Sequence, residues 1–306
     1  MIKTWETDYL NLCEDILKKG DDRSDRTGVG TRALFGRQLR IPLSANAFPA
    51  MTTKKLMFNA MKAELLWFIT GSGDERDLAE ITWGHREGKK TIWTPNAQSD
   101  YWLPKASNHP GDAPLGRVYG TQWRGWRTYK PIPRGDNDTQ QLFEEGEPID
   151  QVAELVHKLK TNPSDRRMII SAWNVGELDQ MALPPCHMMA QFFVAGSELS
   201  CMMTQRSVDV FLGLPFNIAS YALFTHMLAQ CAGLGVGELI MNLGDTHIYH
   251  NHFEQVKEQL KNEPYAPPKL WLNESVNDIF SWKMEDISLV DGTYKSHNAI
   301  SAVMAV

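Results

Sequence analysis

The chain has 306 residues, with 31 Lys and Arg against 37 Asp and Glu, and a formal net charge of −6. Hydrophobic residues make up 42% and charged residues 22%, enough apolar side chains to build a core, which excludes a disordered chain. No apolar run approaches the ~20 residues that span a bilayer, and the mild acidity argues against a dedicated duplex-DNA binder.

The first residues lack a basic-then-apolar signal pattern. The expected setting is therefore cytoplasmic, with no membrane and no dedicated nucleic-acid partner. Cys13, Cys186, Cys201 and Cys231 show no C-x-x-C pairing and no His at zinc spacing, so reduced thiols are expected.

Leu10, Cys13, Ile16 and Leu17 predict an amphipathic helix over 4–19, stopped at Gly20. Residues 21–31 read as a polar, Gly-containing loop and 38–43 as a strand. Leu56, Ala60, Ala63 and Trp67, widened by Met57 and Leu66, predict a buried helix over 55–70. Glu64 sits inside that apolar run, and a carboxylate there needs a partner or a task. Segments 94–117 and 127–148 are long and without a period, as functional or mobile loops are. A helix resumes over 149–160. Strands follow at 168–173, 189–195 and 199–205, the last two a hairpin around Ala195-Gly196-Ser197-Glu198. Residues 216–232 predict a strongly apolar helix, 238–243 a strand, 246–261 a helix capped by Asp245, and 269–272 a strand. Strands that cluster rather than alternate with helices indicate an α+β fold with a mixed sheet flanked by helices. Without repeats or low-complexity linkers, one domain over 1–306 is expected.

Cys186 follows Pro184-Pro185 and precedes His187. It is either a buried structural thiol or a nucleophile. The second role needs positive charge nearby to favour the thiolate. Neighbouring side chains in an extended segment point opposite ways, so an Arg from elsewhere is a better source than His187. Arg206 and Ser207 could bind a phosphate through a guanidinium fork and a hydroxyl, or form an ordinary strand-end ion pair. Arg26, Arg166 and Arg167 add to an arginine excess that suggests a focused anion site in an acidic chain. His247, His250 and His252 invite a metal reading. On a helix, however, His252 lies off the face shared by the other two, so no metal is expected. Asn217, at the start of an apolar helix, is either a cap or an amide that offers donor and acceptor to a heterocycle edge. Trp93, Trp102, Trp123 and Trp126 flank the irregular stretches, placed to stack on a flat ligand or to fill the core.

Taken together, these segments closely resemble the thymidylate synthase family over nearly the full chain. The resemblance is carried by Asp25-Arg-Thr-Gly-Val-Gly-Thr, Phe48-Pro-Ala-Met-Thr-Thr-Lys, Val118-Tyr-Gly-Thr-Gln-Trp-Arg, Leu183-Pro-Pro-Cys-His and Gly244-Asp-Thr-His-Ile-Tyr. Above all it rests on the run from Gln205 to Tyr221. It implies a homodimer packed through a sheet face and reductive methylation of dUMP by 5,10-methylenetetrahydrofolate, with no metal. Cys186 would add to C6 of uracil, with Glu64 and Tyr119 organising proton transfers and Arg206 favouring the thiolate. Asn217 would read the uracil edge, where the related deoxycytidylate hydroxymethylases carry Asp. Arg26, Arg206 and Ser207 would hold the phosphate, joined by Arg166 and Arg167 from the partner subunit. His247 and Tyr249 would hold the ribose hydroxyl, and His187 and Gln205 join the substrate set. Asp209, Ile92, Trp93, Leu212, Gly213 and Phe216 would line the folate pocket, with Lys54 near the glutamate tail. Val306 would close over the ligands.

The sequence departs from the family pattern at Arg117, Thr204, Ser296 and Asn298. The close rival reading is a dUMP 5-hydroxymethyltransferase of the same family, in which water traps the C5 methylene. More distant rivals are a cysteine hydrolase and a non-catalytic binding protein. Trp93 and the Met-Ala-Val end favour hydride transfer.

Overall fold

The computed structural model describes residues 4–133 and 140–304. Helix α1 (Trp5–Lys19) starts at Thr4, whose hydroxyl accepts the Thr7 N–H. Two strands follow, β1 (Asp21–Arg23) and β2 (Thr31–Pro42), then α2 (Phe58–Thr70) and α3 (Glu75–Trp83). The two irregular stretches hold short pieces: single turns α4 (Thr94–Ala97) and α5 (Leu103–Ala106), α6 (Gly120–Arg124), and the small hairpin β3 (Tyr129–Pro131) and β4 (Phe143–Glu145). Then come α7 (Gln151–Thr161), β5 (Ile169–Ser171), β6 (His187–Ala195), β7 (Glu198–Asp209), α8 (Gly213–Ala232) and β8 (Gly235–Tyr249). The chain closes with α9 (Phe253–Gln259), β9 (Leu270–Leu272) and β10 (Ile287–Leu289).

Six strands form one sheet in the order β1-β2-β8-β7-β6-β5. The β7–β8 pair is parallel and the other pairs are antiparallel, so the sheet is mixed as expected. A parallel pair cannot be joined by a tight turn, and α8 makes that crossover. Helix α8 is buried nearly all round, which accounts for its lack of a polar face. The β6–β7 hairpin turns at Gly196, whose φ of 61° is left-handed. One continuous core runs from Tyr9 and Ile16 through Trp67 and Phe224 to Ile287.

One expectation fails. Residues 246–261 are not a helix capped by Asp245. β8 runs unbroken to Tyr249, a 3-10 turn covers His250–His252, and the helix is only Phe253–Gln259. The reason is tertiary. His247 is paired with Ala33 of β2 on one side and Asp209 of β7 on the other, so two ladders override the local cap signal. Thr246 and Ile248 are fully buried. His247 and His250 therefore do not share a helical face. Boundaries also move: the strand expected at 38–43 starts at Thr31, the loop expected at 21–31 contains β1, the strand expected at 199–205 runs on to Asp209, and that expected at 168–173 shrinks to Ile169–Ser171.

Candidate active site

The sheet's connectivity collects chemistry at one end. β6 begins where its antiparallel neighbour β7 ends, β8 runs parallel to β7 and ends there too, and β2 starts there. Cys186 therefore lies beside Gln205–Asp209, His247–Tyr249 and the turn that carries Arg26.

Cys186 immediately precedes β6 and is only partly exposed. Arg206 on the adjacent strand fixes it. The Arg206 N–H donates to the Cys186 carbonyl at 2.8 Å. Its guanidinium donates to Pro185 O and Pro184 O, each at 2.9 Å, and lies over Trp173, 5.2 Å from the ring centroid. The diproline thus presents two carbonyls to one fork. Burial pushes the Cys186 thiol up and outweighs the Arg206 charge, which draws it down; Asp209 raises it and the Tyr119 hydroxyl lowers it. His187 is not the activating cation. Burial drives its imidazole to about 3, its Nδ1 sits 2.9 Å from Tyr221 Oη, and its ring stacks on Tyr119 at 4.1 Å.

Tyr119 Oη accepts the Cys186 N–H at 2.8 Å. Its φ of 27° makes it the only non-glycine with positive φ among the described residues, a strained backbone of the kind that functional sites hold in place. The next residue has to be Gly120, because a Cβ there would lie 2.4 Å from Phe68 O. Across from this group, Glu64 on α2 accepts the Trp93 indole N–H at 2.7 Å. Desolvation lifts its carboxyl to about 7, with the Trp93 bond opposing. The half-buried carboxylate thus has both a partner and a pKa suited to proton transfer.

Asn217 lies inside α8, one turn past its start, so it is not the cap. Its Oδ1 accepts from Gln205 Nε2 at 3.1 Å, and that amide also donates to Ser207 O at 3.0 Å. Buried Gln205 thereby sets which way the Asn217 amide faces. Asp209 Oδ1 accepts the N–H groups of Phe211 and Leu212, each at 3.0 Å, and shapes the turn into α8. His247 Nδ1 lies 3.1 Å from Asp245 Oδ1, and its ring meets Tyr249 edge-on at 5.2 Å. Burial raises the Tyr249 phenol to about 12, while Arg26 draws it down. Arg26 is exposed on a turn held by Asp25, whose carboxylate accepts the Gly30 N–H at 2.7 Å and the Thr27 N–H at 3.0 Å.

Beside this cluster lies a cleft of about 250 Å³ lined by Lys54, Leu212, Phe216 and the tail at Ile300–Ala302. Gly213 opens α8 at its edge, and Ile92 projects 54% exposed beside buried Trp93. The Lys54 ammonium turns inward to the Phe211 carbonyl, over the Phe211 ring, and burial lowers it to about 8. The tail is tied down at buried His252, whose Nε2 is 2.8 Å from Val303 O. Val306 lies outside the described residues.

Arg166 and Arg167 are not brought to this cluster within one chain. They precede β5, whose Ile169 pairs with Gln191 well along β6, and Arg167 is held by Asp165. Trp102 and Trp123 belong to the core. Trp123 stacks on Phe224 at 5.5 Å, and the Trp102 indole donates to Pro114 O at 2.6 Å. Sequence reasoning did not single out Tyr221, which faces His187, or Glu177, which explains Arg117. The Arg117 Nε–Glu177 Oε2 pair, at 2.9 Å and nearly buried, braces the approach to Tyr119. Only the fold could reveal either, since both partners are distant in sequence. Ser296 bonds Tyr294, whereas nothing in the structure explains Thr204 or Asn298. Among the described residues, no group of His, Cys, Asp and Glu could hold a metal, and no helix is long and apolar enough to cross a membrane. A family model described as thymidylate synthase matches residues 7–306.

Proposed function

The chain belongs to the thymidylate synthase family, and on that footing we propose that it converts dUMP and 5,10-methylenetetrahydrofolate to dTMP and dihydrofolate. One observation carries the reading. Cys186 is held between Arg206 and Tyr119, and a Glu64 carboxyl poised near neutrality stands across the site.

Arg206, Ser207 and Arg26 supply the cation and hydroxyl donors for the phosphate. Asn217 offers Nδ2 to a uracil O4 and the second Oδ1 lone pair to N3–H. Because Gln205 already donates to Oδ1, turning the amide to suit a cytosine edge would set two NH2 groups against each other. The Cys186 thiol sits above its ordinary pKa, so nucleophilic addition to C6 is coupled to polarisation of the ring. The Cys186 proton leaves to solvent, with the Arg206 charge favouring the thiolate; Glu64, near pKa 7, gives a proton toward O4 as Sγ bonds to C6, and C5 becomes the carbon nucleophile. Tyr119 orders the proton that later leaves C5. The folate supplies the one-carbon unit and the reducing hydride; the apolar cleft at Leu212, Pro215 and Phe216 fits such a flat ligand. Tail residues Ala299–Ala302 line the cleft and Val303 is latched to His252, which places the tail to close over bound ligands and exclude water in this proposal.

The working unit in this proposal is a cytoplasmic homodimer, with Arg166 and Arg167 reaching the partner's phosphate site. Phe193 (65% exposed) and Ile169 (41% exposed) on the uncovered side of the sheet support that packing. The test is 5-fluoro-dUMP with methylenetetrahydrofolate. A covalent ternary adduct on Cys186, absent in Cys186→Ser, is expected; no adduct refutes the mechanism.

A further inference from the structure

We propose that Glu75 is a positioning residue for the reaction, setting the Trp93 indole that holds Glu64 through the Thr91–Thr94 turn. This rests on the proton-transfer role given to Glu64 above. Glu75 opens α3 and is fully buried, away from the site residues described so far. Its Oε1 accepts two hydroxyls, from Thr91 at 2.5 Å and Thr94 at 2.6 Å. Oε2 accepts Arg76 Nε at 2.6 Å. Arg76 in turn donates to the carbonyls of Arg86 at 2.9 Å and Lys89 at 3.2 Å, and so ties down the chain leading to the turn.

A threonine has one hydroxyl hydrogen, and both spend theirs on Glu75. Their lone pairs are then left for backbone N–H groups: Thr91 Oγ1 accepts Trp93 N–H at 3.1 Å, and Thr94 Oγ1 accepts Thr91 N–H at 2.8 Å. The turn is therefore locked from within, and the indole emerges against Trp67 (5.9 Å) and Tyr119 (5.7 Å) with its N–H on Glu64. A glutamine at position 75 would set an NH2 against either the threonines or Arg76.

The experiment compares Thr91→Val, Thr91→Ser and Glu75→Gln with the parent enzyme, each alone and in a Trp93→Phe background. Thr91→Val removes the link while Glu75 keeps Thr94 and Arg76, so it tests the proposal even where Glu75→Gln folds poorly. The expected result is a fall in kcat of about tenfold, the scale of one hydrogen bond at a charged group. The dUMP KM should stay within about twofold. The limb of the pH–kcat profile set by Glu64 should move to higher pH, because a loosened indole no longer favours the carboxylate. Thr91→Ser should restore both, and in Trp93→Phe the Thr91→Val change should add little. Profiles that superimpose on the parent's, or a loss that adds in full to that of Trp93→Phe, overturn the positioning role while leaving the function intact. Full turnover in Glu64→Gln would instead remove the reading on which the proposal rests, and the proposal with it.

Discussion

Glu64→Gln separates stability from catalysis at one atom. Burial raises the Glu64 carboxyl from an ordinary value of 4.5 to about 7. In that window the native state binds a proton that the unfolded chain has released, so stability falls as pH rises. The favourable state is complete below the unfolded pKa and is lost once pH passes the folded pKa. An interval of about 2.5 pH units at 1.36 kcal/mol each gives about 3 kcal/mol. A glutamine has no charge to desolvate, and its carbonyl can still accept the Trp93 indole N–H. Urea denaturation should therefore show Glu64→Gln gaining on the parent by about 2.5 kcal/mol of this between pH 5 and pH 8, while turnover collapses. A stability difference that stays constant across that range, or runs the other way, would refute the desolvation argument.

Arg117→Ala should cost about 1.5–3 kcal/mol in urea melts, the scale of one hydrogen bond at a charged group, because nearly buried Glu177 keeps Gln122 at 2.7 Å and Arg127 at 3.3 Å; no measurable loss would count against the bracing role. His252→Phe removes the donor to Val303 O, so the folate KM should rise by about fivefold or more while dUMP binding, followed by calorimetry, changes little. Asn217→Asp should shift the ratio of dUMP to dCMP turnover toward dCMP, and competition kinetics would show no change if Asn217 does not read the base edge. Arg166→Ala and Cys186→Ser proteins, each inactive, should regain activity on mixing. Subunit exchange without recovery would count against a shared site.

The elements legible in the sequence were those whose signal is local. The long apolar run of α8, the glycine at the β6–β7 turn and the amphipathic stripe of α1 each carry their own physics. β8 was misread because Asp245 and the residues after it carry a helix-start pattern, and pairing on both sides decided otherwise. The site showed the same division. Glu64 stood out as a carboxylate in an apolar run, but its partner Trp93 lies 29 residues away and only the fold joins them. Arg206 was foreseen as a charge near Cys186. Its grip on the Pro184 and Pro185 carbonyls was not, because it depends on strand register. Glu75 gave no sequence signal, since its work is done through hydroxyls that face it only when α3 and the following turn are folded.

In the proposed reaction this site carries dUMP through to a methyl product. The most direct measurement is mass analysis of the nucleotide formed from dUMP and methylenetetrahydrofolate, with dihydrofolate followed in the same reaction. dTMP and dihydrofolate in equal amounts are expected. A hydroxymethyl nucleotide accompanied by tetrahydrofolate would contradict that reaction and would make water, not hydride, the group that reaches the C5 carbon.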